Sequence, residues 1–252
     1  QGVSDAVVSA KRAKTSRNRV LIVVDMQKDY DREANLRLYG TVKSPYANEI
    51  SWLVPEINTV RARGGWSKVV FTFDWLTRSE LSGRTPFCVE DTAGAQLLDG
   101  LIVDAQDDVF FKKNSDDSFC TEGGRPEAKT SCSRLVDVLE CLGFRPADTD
   151  LWFVGQRFER CLLKTVMHAV DLGYRSAVID RAAYTKCQDP DDEWCLAPAP
   201  GLPAPTGAEV AAAQVYLGRK SAGRILAERL MREAGVCIFA ECPEVLEGHF
   251  AT

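Results

Sequence analysis

The sequence predicts an α/β domain of three layers, with helices packed on both faces of a six-stranded, mainly parallel β-sheet. Three observations predict it. Six short runs rich in β-branched and aromatic residues recur along the chain. Segments with apolar residues at helical spacing lie between most of them. The intervals exceed the roughly dozen residues that a crossover between parallel strands needs, so the connections can cover the sheet faces.

The first run, VLIVVD at 20–25, is too short and too β-branched for a helix and apolar on both faces, as a central parallel strand must be. Residues 47–63 predict a helix, with Ile50, Leu53, Val54, Ile57 and Val60 at helical spacing and Gly64 and Gly65 closing it. KVVFTF at 68–73 is the second strand, residues 95–101 a short helix, and VFFKK at 109–113 the third strand. A helix over 131–141, the strand LWFVG at 151–155, a helix over 161–173 and the strand SAVID at 176–180 continue the alternation. A long helix over 219–234 and a sixth strand, VCIFA at 236–240, complete it.

At 252 residues, 45% hydrophobic and 27% charged, the chain has the size and composition of one large globular domain, which excludes collagen-like, coiled-coil and wholly disordered chains. No apolar run reaches the roughly 18 residues of a membrane span. A net charge of -5 argues against nucleic acid as a partner, because phosphate binding needs a basic face. That charge is uneven: residues 1–19 hold five Lys or Arg against one Asp. The basic, Ser-rich stretch 1–18 reads as a flexible arm, or as the remnant of a targeting segment, which would make the mitochondrial matrix a candidate compartment. Residues 19–246 form the domain, and 247–252 a tail. Inside the domain, 188–218 reads as a surface insertion, either a binding arm or an inert loop, because 188–207 carries five of the eleven prolines. Nine cysteines, an odd number without CxxC pairs, argue against a disulfide framework or zinc cluster and for a reducing, intracellular environment.

Ligands of open parallel sheets collect at the carboxyl ends of the strands. Asp25 ends the first strand, Lys113 ends the third, and Cys161 follows the fourth and opens a helix. A cysteine at a helix N-terminus has its thiolate favoured by the dipole, so a lowered pKa is expected. A carboxylate could take the thiol proton, and a lysine could position that carboxylate and stabilise charge. Each residue also has a purely structural reading, the aspartate as a backbone cap and the cysteine as core.

Five segments together resemble the isochorismatase-like cysteine hydrolases, a family that includes nicotinamidases, isochorismatases and several amidases. They are VLIVVDMQKDY (20–30), INTVRARGGWSKVVFTFDW (57–75), PFCVEDTAGAQL (86–97), FFKKNSDDSF (110–119) and VGQRFERCLLKTVMHAVDLGY (154–174). The resemblance runs from about Arg19 to Leu246 and implies the isochorismatase-like fold, with Asp25 as general base, Lys113 as its partner and Cys161 as nucleophile. Phe119, six residues after Lys113, selects that lysine over Lys112. The resemblance also implies an oxyanion site near Arg157, a cis peptide between Arg157 and Phe158, and substrate-lining roles for Gln27, Asp74, Trp75 and Phe119. Family members are commonly oligomers, so an oligomer is expected.

Two departures shape the expected activity. Nicotinamidases hold a metal with an Asp-x-His and a later His; here Asp74 is kept, but Leu76 and Phe87 stand at the histidine positions and cannot ligate one. The expectation is no metal and no cofactor. The residues before the nucleophile are Arg157, Phe158, Glu159 and Arg160, whose bulk could fill the pocket or whose guanidinium groups could grip a carboxylate. One reading is therefore a metal-independent cysteine hydrolase of a small amide, ureide or vinyl ether. The other is an inactive subunit that uses this fold as a structural part of a larger complex, with protein partners instead of a small-molecule substrate.

Overall fold

Alternate residues of the first strand, β1 (Asn18–Val24), face two different cores: Val20, Ile22 and Val24 on one side, Leu21 and Val23 on the other. A strand covered on both faces has no solvent side, which is why its sequence shows no polar alternation. The computed structural model of the chain describes residues 17–120, 124–125, 134–185, 206, 208 and 222–243. Strand β1 begins inside the expected arm, and Arg17 anchors it by donating to Asp150 (2.6 Å). The rest of that arm, the tail at 247–252 and nearly all of the 188–218 insertion lie outside the described residues.

The chain continues with β2 (Lys68–Asp74), β3 (Val109–Lys113), the two-residue β4 (Gly124–Arg125), β5 (Thr149–Gln156), β6 (Arg175–Tyr184) and β7 (Cys237–Phe239). Across the sheet the order is β4-β3-β2-β1-β5-β6-β7, and every neighbouring pair is parallel except β3 with β4. The six expected strands thus form a parallel sheet, extended at one edge by a short antiparallel ribbon.

Among the described residues, five helices flank the sheet: α1 (Arg32–Tyr39), α2 (Leu53–Ala62), α3 (Leu135–Cys141), α4 (Leu163–Asp171) and α5 (Ala222–Glu233). Leu135, Leu139, Val166, Ala169, Ala227 and Met231 carry α3, α4 and α5 into one core; Ala34, Leu53, Ile57 and Val60 carry α1 and α2 into the other. None of the helices among the described residues is long and apolar enough to cross a membrane.

Several elements differ from the sequence expectation. Helix α1 has too few apolar positions to show a periodic stripe; it is set by its ends, where the Asp31 carboxylate accepts from the Ala34 N–H (2.8 Å) and Gly40 takes the left-handed cap. Helix α2 starts at Leu53, later than expected, because Asp31 Oδ1 captures the N–H groups of Ile50 and Ser51, and Pro55 fits only in a first turn. The helix expected over 95–101 is absent: the backbone of Gln96 and Leu98 pairs with Lys28 and Met26 instead, leaving one short turn at Ala93–Ala95.

Candidate active site

The sheet register brings together three strand ends. Val24 lies opposite Thr72 on one side and Gly155 on the other, and Asp74 lies opposite Lys113. Asp25, one residue beyond β1, takes a left-handed conformation (φ 51°), which aspartate tolerates better than most residues. Gly155 has φ 105°, and a Cβ there would fall on the Val24 carbonyl oxygen, so β5 approaches β1 closely only because this residue is glycine.

The sequence-selected carboxylate, ammonium and thiol meet at this edge. Lys113 is fully buried, and its Nζ donates to Asp25 Oδ2 (2.8 Å) and to Asp74 Oδ1 (2.5 Å). Asp25 Oδ1 accepts from the Thr72 hydroxyl (2.7 Å), and the Asp25 carbonyl accepts from the Gln156 amide (2.9 Å). Asp74 also accepts from the Tyr30 hydroxyl. Carboxylate oxygens of Asp25 and Asp74 and the Cys161 sulfur all lie within 4.8 Å of one another. Lys112, the neighbouring lysine, sits 4.0 Å from the Trp75 ring instead.

Burial and charge set the protonation states. Burial opposes the charged form of Lys113, but the carboxylates of Asp25 and Asp74 outweigh it and hold the ammonium charged well above the usual range. For Asp74, burial raises the pKa, the Lys113 charge lowers it and the Asp25 charge raises it, leaving it at about 6. Cys161 reverses the expectation from its helix position. Burial first, and then the Asp25 charge, push its thiol well above the ordinary range against the pull of Lys113. The thiolate is disfavoured here because the residue is only 7% exposed and faces carboxylates. At rest the Cys161 side chain is a neutral thiol.

Cys161 does not open a regular helix. It lies in a wide π-type turn, Phe158–Leu162, that leads into α4. The cis peptide falls between Gln156 and Arg157, one bond earlier than expected. Strand β5 runs through Gln156, and the Arg157 carbonyl already belongs to the turn, accepting from the N–H groups of Arg160 (3.0 Å) and Leu162 (3.1 Å). Phe158 is wholly buried in the core under the Arg224 guanidinium, 3.0 Å from the ring centroid, so it does not plug the site.

A hollow of about 370 Å³ opens over the thiol. Asp25, Asp74 and Cys161 form its floor, with Asp116 and Gln156 beside them; Tyr30, Tyr46 and Phe87 supply aromatic walls, and Arg84, Arg157 and Arg160 supply cations. Arg157 is only 7% exposed, and its Nε meets no hydrogen-bond partner among the described residues. Gln27, Trp75 and Phe119 do not line the hollow. The Gln27 amide donates to the Asp74 and Ala95 carbonyls (both 2.8 Å) and accepts from the Asp74 N–H (2.8 Å), fixing Asp74 from behind. Trp75 packs on Phe73, and Phe119 against Tyr174 and His168.

Sequence reasoning missed Thr72, Tyr30, Tyr46, Arg84, Asp116 and Gln156. Thr72 carried a usable signal, a hydroxyl inside an otherwise apolar strand two residues before Asp74. Asp116 carried none, because its contacts with Cys161 and Lys164 span more than 40 residues.

A resident metal does not fit this site. Asp25, Asp74 and Cys161 offer three donor atoms, but the Lys113 ammonium bridges both carboxylates and the Tyr30 hydroxyl takes the remaining Asp74 oxygen. Phe87, at one of the two expected histidine positions, faces the hollow with a ring that cannot ligate.

The parallel sheet, with a buried Asp-Lys pair and a thiol at its carboxyl edge, defines a three-layer α/β scaffold with its candidate active site at that edge. The family model for the isochorismatase domain matches residues 19–197, and the chain belongs to the isochorismatase family of hydrolases. Solved structures agree in fold. An isochorismatase family protein from Desulfovibrio vulgaris superposes with a TM-score of 0.58 at 18% identity, covering 89% of this chain and 94% of that one. The PnC1 protein from L. infantum, solved in complex with nicotinate, gives 0.56 at 20% identity over 89% and 93%. N-carbamoylsarcosine amidase from Thermoplasma acidophilum gives 0.54 at 17% identity over 91% and 99%. Among curated proteins none matches the sequence significantly.

Proposed function

We propose that the chain is a metal-independent cysteine hydrolase acting on a small, carboxylate-bearing amide, ureide or vinyl-ether substrate through a covalent Cys161 intermediate. The observation that carries this reading is the Cys161 sulfur lying within 4.8 Å of the Asp25 and Asp74 carboxylates, with Lys113 bridging them, at the floor of an accessible hollow. The metal-free part rests on the hydrogen bonds that already occupy Asp74.

For an amide, the Cys161 sulfur forms a bond to the carbonyl carbon while its proton passes to Asp25, and the carbonyl π pair moves onto oxygen. Backbone N–H groups of the turn near Arg157 and at Cys161 are suited to receive that oxyanion; the Arg160 N–H is not, because the Arg157 carbonyl already takes it. Collapse breaks the C–N bond, and the nitrogen leaves with the proton from Asp25. Water then adds to the thioester, giving a proton to Asp25, and the acid departs as the sulfur regains that proton. Lys113 stays protonated and keeps Asp25 oriented between steps.

Arg157, buried with its Nε in no hydrogen bond though 4.0 Å from Glu159 Oε1, and Arg160 and Arg84 around the rim favour an anionic substrate, because guanidinium groups pair carboxylates bidentately. Tyr30, Tyr46 and Phe87 favour a flat one. The test is intact-protein mass spectrometry of the quenched chain with carboxylate-bearing amides. A mass increase equal to the acyl group, lost in Cys161→Ala and lost also in Asp25→Asn, whose amide cannot take the thiol proton, is expected. Absence of adduct and turnover across the panel overturns the reading.

A further inference from the structure

Resting on the cysteine-hydrolase reading, we infer that Asp116 is a specificity-determining residue that selects substrates whose reacting carbon carries an N–H group, a primary amide or ureide, over the ester or vinyl ether of the same acid.

The Cys161 sulfur lies beside three carboxylates with different surroundings, of which Asp74 is committed to Lys113 and Tyr30. Asp25 is committed to Lys113 and Thr72. Asp116, in the segment after β3, presents Oδ1 to the sulfur at 3.9 Å, while its Oδ2 accepts from Lys164 Nζ (2.9 Å). The segment is held rigidly along the nucleophile's own helix. The Ser118 N–H donates to Thr165 Oγ1 (3.2 Å), and Asp117 Oδ2 pairs with His168 Nδ1 (2.7 Å). Cys161, Lys164, Thr165 and His168 follow one another at the spacing of a single helix face, so three consecutive residues are strapped to that face. Burial raises the Asp116 pKa, but the Lys164 hydrogen bond and charge outweigh it and hold the carboxyl below its ordinary value. Asp116 is therefore a fixed anion that lines the hollow.

An ionised carboxylate only accepts hydrogen bonds. When the sulfur bonds to the substrate carbon, the other substituents of that carbon lie one bond beyond it, within reach of the oxygen that had faced the thiol. A developing oxyanion there is repelled and must turn toward the backbone N–H groups. An ester or ether oxygen brings lone pairs toward an anion. An amide or ureide nitrogen brings a donor, and sites built to meet a donor discriminate strongly against analogues that lack it.

The test uses the full chain and two matched pairs: 4-carbamoylbenzoate with monomethyl terephthalate, and succinamate with monomethyl succinate. The readout is kcat/KM for amide over ester, divided by the ratio of their alkaline hydrolysis rates. Asp116→Ala is expected to lower that normalised ratio about 10- to 100-fold, the range of a charged hydrogen bond, with the loss falling on the amide. Asp116→Asn, whose carbonyl still accepts, is expected to keep part of the preference. Equal losses on both partners of a pair, or an unchanged ratio, overturn the inference and leave Asp116 as a strap. Cys161-dependent turnover of the ester with no amide preference in the unmodified chain overturns it while sparing the hydrolase reading. No turnover of any of the four compounds overturns both.

Discussion

Replacing Lys113 with Met removes an ammonium that sits, fully buried, between two buried carboxylates at 2.8 and 2.5 Å. The side chains match in volume, so little is lost in packing. What is lost is the charge that compensates Asp25 and Asp74, and breaking a buried pair from one side costs about 3–5 kcal/mol. At roughly 2–4 °C per kcal/mol for a chain of this size, the melting temperature should fall by about 6–20 °C. The loss should also depend on pH. Without Lys113, burial and repulsion from Asp25 raise the folded-state pKa of Asp74 further. A group with a raised folded pKa contributes stability that is present at low pH and is lost as pH rises through that folded value. The variant should therefore lie closer to the parent at pH 5 than at pH 8, as measured by urea denaturation followed by circular dichroism. Adding Asp74→Asn should recover part of the stability at pH 8. A pH-independent loss of under about 1 kcal/mol would refute the claim that this ammonium compensates the buried carboxylates.

Three further outcomes are expected. Alkylation of Cys161 by iodoacetamide should rise only at alkaline pH, with a midpoint above the ordinary thiol value of about 8.5; a midpoint below it would mean that Lys113 wins over burial and the carboxylates. Gly155→Ala should destabilise the fold by at least about 2 kcal/mol in the same denaturation assay, since it combines a left-handed backbone with a collision against Val24; a near-neutral effect would contradict the close approach of β5 to β1. For Asp74, with its folded pKa raised to about 6, the stability that its protonated form contributes should be lost as pH rises from about 4 through 6, and Asp74→Asn should flatten that slope; an unchanged slope would place the titration elsewhere.

Much of the scaffold was legible because it depends on patterns that each segment carries by itself. The doubly buried strand β1 announces itself as an unbroken apolar run, and β3 was delimited residue for residue. Helix α1 was not legible, because its stability lies in the Asp31 cap and the Gly40 end and not in an apolar stripe. The helix expected over 95–101 failed for the opposite reason: its backbone groups were claimed by residues 26–28, some 70 positions earlier.

The same division runs through the site. Sequence alone determined the chemical inventory, an aspartate, a lysine and a cysteine at three strand or helix ends, because motif spacing and strand termini are local properties. Only the tertiary structure decided how those groups behave. The Cys161 thiol is pushed up, not down, because burial and the Asp25 carboxylate just beyond β1 outweigh the pull of Lys113. Phe158 stays out of the hollow because Arg224 of α5 holds its ring in the core. Asp116 reaches the sulfur because the strap along α4 carries it there. Solvent exclusion and through-space charge depend on which distant segments become neighbours, and that is fixed only when the sheet closes.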